Sequence, residues 1–124
     1  MNLDKIGQIA INAKDVARAT AFYKDVLGMR FLFGAGPHLS FFDCGGIRLM
    51  IARAEKPEFD HPASLVYYKV PDIEASHAAL TGKGVEFVDA PHLVAPMPDH
   101  DLWMAGFKDS EGNDLVLMCE KKKV

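Results

Sequence analysis

The residues best suited to chemistry are two histidines in the proline- and aspartate-containing segment 92–103. His100 stands between Asp99 and Asp101, and acidic neighbours stabilise an imidazolium, so His100 could be a general base or a metal ligand. A loop histidine beside two acids can equally be solvated. His92 is the second catalytic candidate. The segment is longer than the matching connection in the first half of the chain, as is typical of lids and binding loops.

Two amides and an arginine form a second set, on segments that read as strands. Gln8 and Asn12 could fix a carbonyl or hydroxyl group of a ligand, or satisfy neighbouring backbone at a strand end. Arg48 could hold a carboxylate or phosphate in a bidentate pair. The equivalent position in the second half of the chain is Asp114, so we expect an internal ion pair between Arg48 and Asp114.

Larger side chains on the same strands suit the floor of a ligand cavity. Met50, Tyr67 and Met118 would make an adaptable apolar floor with one polar tip, or would fill the core. Trp103, the only tryptophan, could stack on a flat ligand or pack into the second half.

Several classes of function are disfavoured. The chain of 124 residues has a net charge of -3, and its basic residues are dispersed except in the tail 121–124, which argues against a nucleic-acid partner. The sequence has no long apolar run and no secretion signal, so we expect no membrane association and a cytoplasmic protein. Cys44 and Cys119 lack the spacing of a zinc or redox motif and are expected to be buried free thiols.

The elements that must position these residues occur twice, in the order strand, helix, three strands. Asp15 and Asp72 are predicted helix N-caps, Gly28 ends the first helix, and Gly45 with Gly46 forms a hairpin turn. The predicted strands of the first half are 5–13, 29–33, 38–44 and 47–52, and those of the second half are 64–70, 85–89, 102–109 and 113–120.

The two halves can be aligned residue by residue. Asp15 and Asp72 lie 57 positions apart, and the same offset pairs Ile9 with Val66. A later offset of 66 pairs several strand residues, namely Phe41 with Phe107, Asp43 with Asp109, Leu49 with Leu115 and Met50 with Val116. We therefore predict a single α+β domain over 1–124, with module 1 at about 5–54, a linker at 55–62, module 2 at about 63–120 and a basic tail. The two tandem βαβββ modules would form an eight-stranded curved mixed sheet with helices on its convex face.

Strand alternation assigns the side chains to two faces. One parity is apolar and suits the helix-covered face: Ile9, Ile11, Leu49, Ile51, Val66, Tyr68, Leu115 and Leu117. The other parity mixes polar and apolar residues, as a ligand cavity would: Gln8, Ala10, Asn12, Gly46, Arg48, Met50, Leu65, Tyr67, Lys69, Asp114, Val116 and Met118.

Four segments together resemble the vicinal-oxygen-chelate superfamily of glyoxalases, bleomycin-resistance proteins and extradiol dioxygenases. They are IGQIAINAKDVARATAFYKDVLGM at 6–29, GGIRLMI at 45–51, VPDIEASHAALTGKGVEF at 70–87 and FKDSEGNDLVLM at 107–118. The resemblance covers nearly the whole chain, from about Ile6 to Glu120, and implies a cavity in a concave face.

In metal-dependent members of that family, four strand residues bind one divalent ion. The resemblance transfers these positions to Gln8, Met50, Leu65 and Val116, which are expected to converge on one point. Only Gln8 offers an oxygen, and apolar side chains cannot replace the hydration shell of such an ion. We therefore expect no metal at this site and no cofactor.

Two functions lead, and a metal-free enzyme or a protein that has lost its ligand role is a third alternative. The first is a glyoxalase- or bleomycin-resistance-like protein that binds a small amphipathic or aromatic molecule without metal. The alternative is a metal-dependent lyase, isomerase or dioxygenase with a non-standard site that uses His92 or His100. The family resemblance also implies a homodimer, because each half exposes edge strands.

Overall fold

The chain folds as two units in a computed structural model that describes residues 1–123. The first unit spans Met1–Ser64 and the second begins at Leu65. Each contains a strand, a helix and three further strands in that order, so the predicted pair of βαβββ modules is confirmed. No helix within residues 1–123 has the length and apolar character needed to cross a membrane.

The first unit begins with strand β1 at Gln8–Asn12, followed by helix α1 at Val16–Ala21, which continues as a π-helical segment at Phe22–Val26. The Asp15 carboxylate accepts a hydrogen bond from the Arg18 backbone N–H at 3.0 Å, so the predicted N-cap is confirmed. The remaining strands are β2 at Arg30–Gly34, β3 at Leu39–Cys44 and β4 at Ile47–Ala52. A linker with one short 3₁₀ turn at Pro57–Phe59 follows.

The second unit repeats this order. Strand β5 at Val66–Lys69 leads to helix α2 at Ile73–Gly82, whose N-cap Asp72 accepts from the Ala75 N–H at 3.1 Å. Strands β6, β7 and β8 then occupy His92–Pro96, His100–Lys108 and Asp114–Lys122.

Each unit has a four-stranded mixed sheet. The strand orders are β1-β4-β3-β2 and β5-β8-β7-β6, in which the first pair of each sheet is parallel and the others are antiparallel. Ile9 pairs with Leu49, and Val66 pairs with Leu115, so the offsets of 57 and 66 read from the sequence describe the same register in both sheets. The α+β fold class is thereby confirmed.

Two predicted equivalences are wrong by a single residue. Asp43 lies opposite Arg48 and Lys108 lies opposite Asp114, so the counterpart of Asp43 is Lys108 and not Asp109. Leu49 lies opposite Phe42, whereas Leu115 lies opposite Phe107, so the counterpart of Phe107 is Phe42 and not Phe41. Phe42 and Phe107 are both fully buried. The second error arose because Phe41 and Phe42 are adjacent and identical, and only the ladder register separates them.

The predicted division of faces is visible in burial. Ile11, Leu49, Ile51, Leu115 and Leu117 are buried on the helix-covered faces. In the first unit, the ring of Tyr23 lies 6.2 Å from that of Phe42, which joins the helical segment to the sheet. The opposite parity is exposed or half-buried, and we call it the open face of each sheet.

The predicted strand at 85–89 is wrong in its extent, and so is the predicted loop at 92–103. Only Phe87 bridges to β7, opposite Phe107, with Val88 donating to the Gly106 carbonyl at 2.9 Å. Asp89 then accepts from the Gly106 N–H through its side chain, and Pro91 has no N–H to pair. Pairing resumes at β6, so the segment from His92 to Trp103 is a β-hairpin with β7 and not a lid loop.

Candidate ligand-binding site

A pocket of about 410 Å³ lies on the open face of the first sheet, between strand ends and the linker. Its apolar lining includes Leu39, Met50 and Phe59, and its polar lining includes Asn12 and His61. The other lining residues are Ala10, Ala52, Arg53, Ala54, Glu55, Ala63 and Ser64. A mainly apolar pocket with a few polar groups of this size suits a small organic molecule.

Asn12 fastens the linker that forms one wall of this pocket. Its side-chain Nδ2 donates to the backbone carbonyls of Phe59 at 2.6 Å and His61 at 2.7 Å. Of the two roles open for Asn12, satisfaction of neighbouring backbone is therefore the one seen for its donor group. The side chain still lines the pocket.

Gln8 connects the pocket to the rest of the open face. Its Oε1 accepts a hydrogen bond from Arg48 Nε at 3.0 Å, and its Nε2 lies 3.6 Å from the Met50 sulfur. Both ends of the amide are therefore engaged within the first unit.

Arg48 and Asp114 each have a partner in their own unit. The Arg48 guanidinium lies over the Phe41 ring, 5.6 Å from its centroid, in addition to its contact with Gln8. Asp114 accepts from Lys108 Nζ at 2.6 Å, and this contact raises the pKa of Lys108. Asp114 thus has a charged partner within its own unit, whereas the side-chain partners of Arg48 are both neutral.

The open face of the second sheet carries the equivalent predicted residues. Leu65 and Tyr67 are exposed by 53% and 48%, while Val116 and Met118 are half-buried on β8. Tyr67 lies opposite Val116, and Met118 lies opposite Met104. These contacts make an exposed apolar surface with one phenolic group, as the parity predicts.

Trp103 lies on the other face. It pairs with the buried Cys119 on β8, so both side chains point toward the helix-covered side. Lys121 Nζ sits 3.9 Å from the Trp103 ring centroid and also contacts Glu74 of α2. Of the two roles considered, packing within the second unit is the one observed, and stacking of Trp103 on a flat ligand stays a prediction.

The two candidate histidines lie on strands of the second sheet. His92 begins β6 and its Nδ1 lies 2.9 Å from the Ala90 carbonyl. His100 begins β7, with Nδ1 at 2.7 Å from an Asp99 carboxylate oxygen and Nε2 at 3.8 Å from Glu120. The hydrogen bond from His100 lowers the pKa of Asp99. Within residues 1–123, no group of three or more His, Cys, Asp or Glu side chains has a metal-binding arrangement.

The sequence reading missed the linker as part of the site. Glu55, Phe59 and His61 line the pocket, whereas the sequence predicts the stretch from 55 to 62 only as a connection. One signal was present, because an isolated aromatic residue in a charged, proline-containing connector needs apolar surface to pack on.

Comparison with known protein families shows which superfamily the chain belongs to. Residues 5–117 match the model of the Glyoxalase/Bleomycin resistance protein/Dioxygenase superfamily. The chain belongs to this superfamily. A comparison with curated protein sequences found no match.

Solved structures of the superfamily share the fold at low sequence identity. An antibiotic binding protein from Streptomyces sp. CB03234 aligns with a TM-score of 0.78 at 21% identity, covering 98% of this chain and 99% of the other. A putative glyoxalase family protein from Bacillus anthracis has a TM-score of 0.76, 21% identity and 98% coverage of both chains. Lactoylglutathione lyase from Agrobacterium tumefaciens has a TM-score of 0.74, 20% identity and 96% coverage of both. At these identities the likeness shows the fold alone.

The four positions that the resemblance assigns to metal ligands, Gln8, Met50, Leu65 and Val116, carry few groups that could bind a divalent ion. Met50 offers a thioether, and Leu65 and Val116 are aliphatic. Gln8 has the only oxygen in this set of four, and that oxygen already accepts a hydrogen bond from Arg48. Hard and borderline cations require several oxygen or nitrogen ligands, which this set lacks.

Proposed function

We propose that this superfamily member is a metal-independent binding protein for small aromatic or amphipathic molecules. The observation that carries the proposal is the pocket of about 410 Å³ beneath the linker. Its floor of Met50, Leu39 and Phe59 would accept a flat apolar body, and its polar rim would orient a few polar groups. Met50 would adapt its unbranched side chain to the shape of the ligand.

The donor chemistry supports binding without metal. An ion at Gln8 would have to take the amide oxygen away from Arg48, and Met50 beside it offers only a thioether. Leaving a dication so poorly coordinated costs several kcal/mol or more, on the order of the desolvation penalty of a buried charge. One amide oxygen cannot offset that cost.

A fold shared with an antibiotic binding protein is consistent with this proposal. The enzymatic alternative is a metal-dependent lyase, isomerase or dioxygenase with a non-standard site. It would have to begin from His100 and Glu120, the pair 3.8 Å apart on the second sheet, and recruit further ligands there. We favour the binding protein because its pocket is already formed.

A pocket-filling variant tests the proposal. Ala10 lines the pocket, so Ala10→Trp should fill it and weaken binding of a neutral two-ring probe such as naphthalene-1-acetamide by about tenfold or more, a loss of roughly 1.4 kcal/mol. Ala17→Trp, on the exposed side of α1, is the matched control and should bind like the unmodified protein. Isothermal titration calorimetry gives the affinities. Equal binding by both variants, or no binding of two-ring aromatic probes by the unmodified protein, would contradict the proposal.

A further inference from the structure

We propose that Arg48 recognises a carboxylate on the ligand, so that the ligands of this protein are aromatic or apolar carboxylic acids. The inference rests on the proposed function and names the class of molecule that the same open face selects. It depends on how Arg48 is held, on which charges surround it and on its distance from the pocket.

Two contacts orient the Arg48 guanidinium. Its Nε donates to Gln8 Oε1 at 3.0 Å, and its carbon lies 5.6 Å from the Phe41 ring centroid. With Nε engaged, the two terminal nitrogens remain as a fork that fits the two oxygens of a carboxylate. Because guanidinium stays charged at all ordinary pH values, the site is a fixed positive charge.

No carboxylate of residues 1–64 lies within ion-pair distance, 4.0 Å, of the Arg48 guanidinium. Asp43 is opposite Arg48 in the β3–β4 ladder, but its closest ion-pair partner is Arg30, at 4.0 Å. Within residues 1–64, Gln8 and Phe41 are the partners that Arg48 has, and both are uncharged. A fixed and exposed arginine that forms no ion pair within its unit is suited to an external anion.

The distance between Arg48 and the pocket residue Met50 determines how far the carboxylate of a ligand must lie from its apolar body. Arg48 and Met50 are two positions apart on β4 and share the open face, so their Cα atoms are about 6.7 Å apart at the usual rise per strand residue. Gln8 touches both side chains. An apolar body over Met50 would therefore place a carboxylate on a short arm near Arg48.

Aromatic surface lies beside the arginine. The Phe33 and Phe41 rings have centroids 4.8 Å apart, and Phe41 also carries the guanidinium on its face. Phe33 is 47% exposed, so this ring pair is accessible to a flat ligand. The combination of ring faces and a fixed cation favours an aryl carboxylic acid over an aliphatic one.

The test compares one acid with its neutral amide. Naphthalene-1-acetic acid and naphthalene-1-acetamide are titrated calorimetrically into the unmodified protein, Arg48→Gln and Arg18→Gln. Arg18→Gln is the matched control, because Arg18 is an exposed arginine on α1, away from the open face, and its loss changes the net charge equally. Thermal unfolding establishes that each variant is folded.

We expect the acid to bind about tenfold more tightly than the amide in the unmodified protein and in Arg18→Gln, in line with a charge-assisted pair. In Arg48→Gln the two affinities should become equal through loss of acid binding alone. Arg48→Lys should keep part of the preference, since it keeps the charge but loses the fork.

The outcomes separate this inference from the proposed function. If the amide binds and the acid binds no more tightly, the Arg48 inference is wrong while the proposed function stands. If Arg48→Gln keeps the acid preference or weakens both probes equally, the inference is likewise wrong. If neither probe binds the unmodified protein, both the inference and the proposed function fail.

Discussion

At the scale of single residues, Asn12 has a side chain suited to ligand binding, but its amide donates to the linker that forms one wall of the pocket. Its type and parity were readable from the sequence, but its partners were not, because the Phe59 and His61 carbonyls lie more than 40 positions away. Gln8 and Arg48 behave similarly, since each was placed correctly on the open face and each has a partner that no spacing rule predicts.

Asn12→Ala should release the linker from the sheet. Loss of two hydrogen bonds to backbone carbonyls should destabilise the protein by roughly 1–2 kcal/mol and weaken binding of a neutral aromatic probe. Amide hydrogen exchange in residues 55–63 should accelerate. Asn2→Ala, an exposed asparagine outside the strands, is the control and should change neither quantity. Unaltered exchange in Asn12→Ala would show that the linker is held by other contacts.

The Lys69–Glu120 pair should contribute to stability only where Glu120 is ionised. Lys69 Nζ lies 2.9 Å from the Glu120 carboxylate, and its hydrogen bond lowers the pKa of Glu120 in the folded state. A lowered folded pKa gives stability that is present above the unfolded value of about 4.3 and disappears as the pH falls through the folded value. Lys69→Gln should therefore slightly lower the Tm at pH 7.

In acid, below the folded pKa of Glu120, the difference in Tm between Lys69→Gln and the unmodified protein should vanish. Both partners are solvent-exposed, so the effect at neutral pH should be small. Lys14→Gln removes an exposed lysine of the first unit and provides the charge control. The same Tm difference at neutral and acidic pH would contradict this assignment.

At the scale of elements, local signals predicted most boundaries. Asp15 and Asp72 are N-caps, and Gly28 adopts the left-handed conformation expected after the first helix, with φ of 70°. The π-helical geometry of Phe22–Val26 was not predictable, because the apolar spacing there also fits an α-helix. The segment predicted as a strand at 85–89 has the alternation of a strand, but only Phe87 in it bridges to β7. Regular pairing with β7 begins at β6, three residues after Asp89.

The segment before β6 approaches β7 closely at Gly106. A Cβ at this position would lie 2.7 Å from Val88 Cγ2, and the β-branched Val88 can move only by leaving its rotamer or shifting its backbone. Gly106→Ala should therefore destabilise the protein by about 1–3 kcal/mol in chemical unfolding. The double variant Val88→Ala/Gly106→Ala should recover most of that loss, and failure to recover it would place the strain elsewhere.

At the scale of the whole molecule, the sequence predicted the repeat and the two faces but not the pocket. Parity places Ala10, Asn12 and Met50 on the open face, whereas Phe59 and His61 reach it only because the linker folds back over β1. Side-chain alternation predicts which face a residue lies on only within a strand, and the linker is not a strand. The sequence therefore does not predict that the linker forms a wall of the pocket. The homodimer and the convergence of Gln8, Met50, Leu65 and Val116 stay predictions.

Metal-independent binding is tested most directly by measuring metal content and ligand affinity on the same sample. Purified protein is analysed for divalent metals, and naphthalene-1-acetamide is titrated before and after exhaustive dialysis against a chelator. The side chains at the superfamily metal positions predict far less than one metal ion per chain and the same Kd in both titrations. Stoichiometric Ni, Zn, Mn or Fe whose removal abolishes binding would contradict the account.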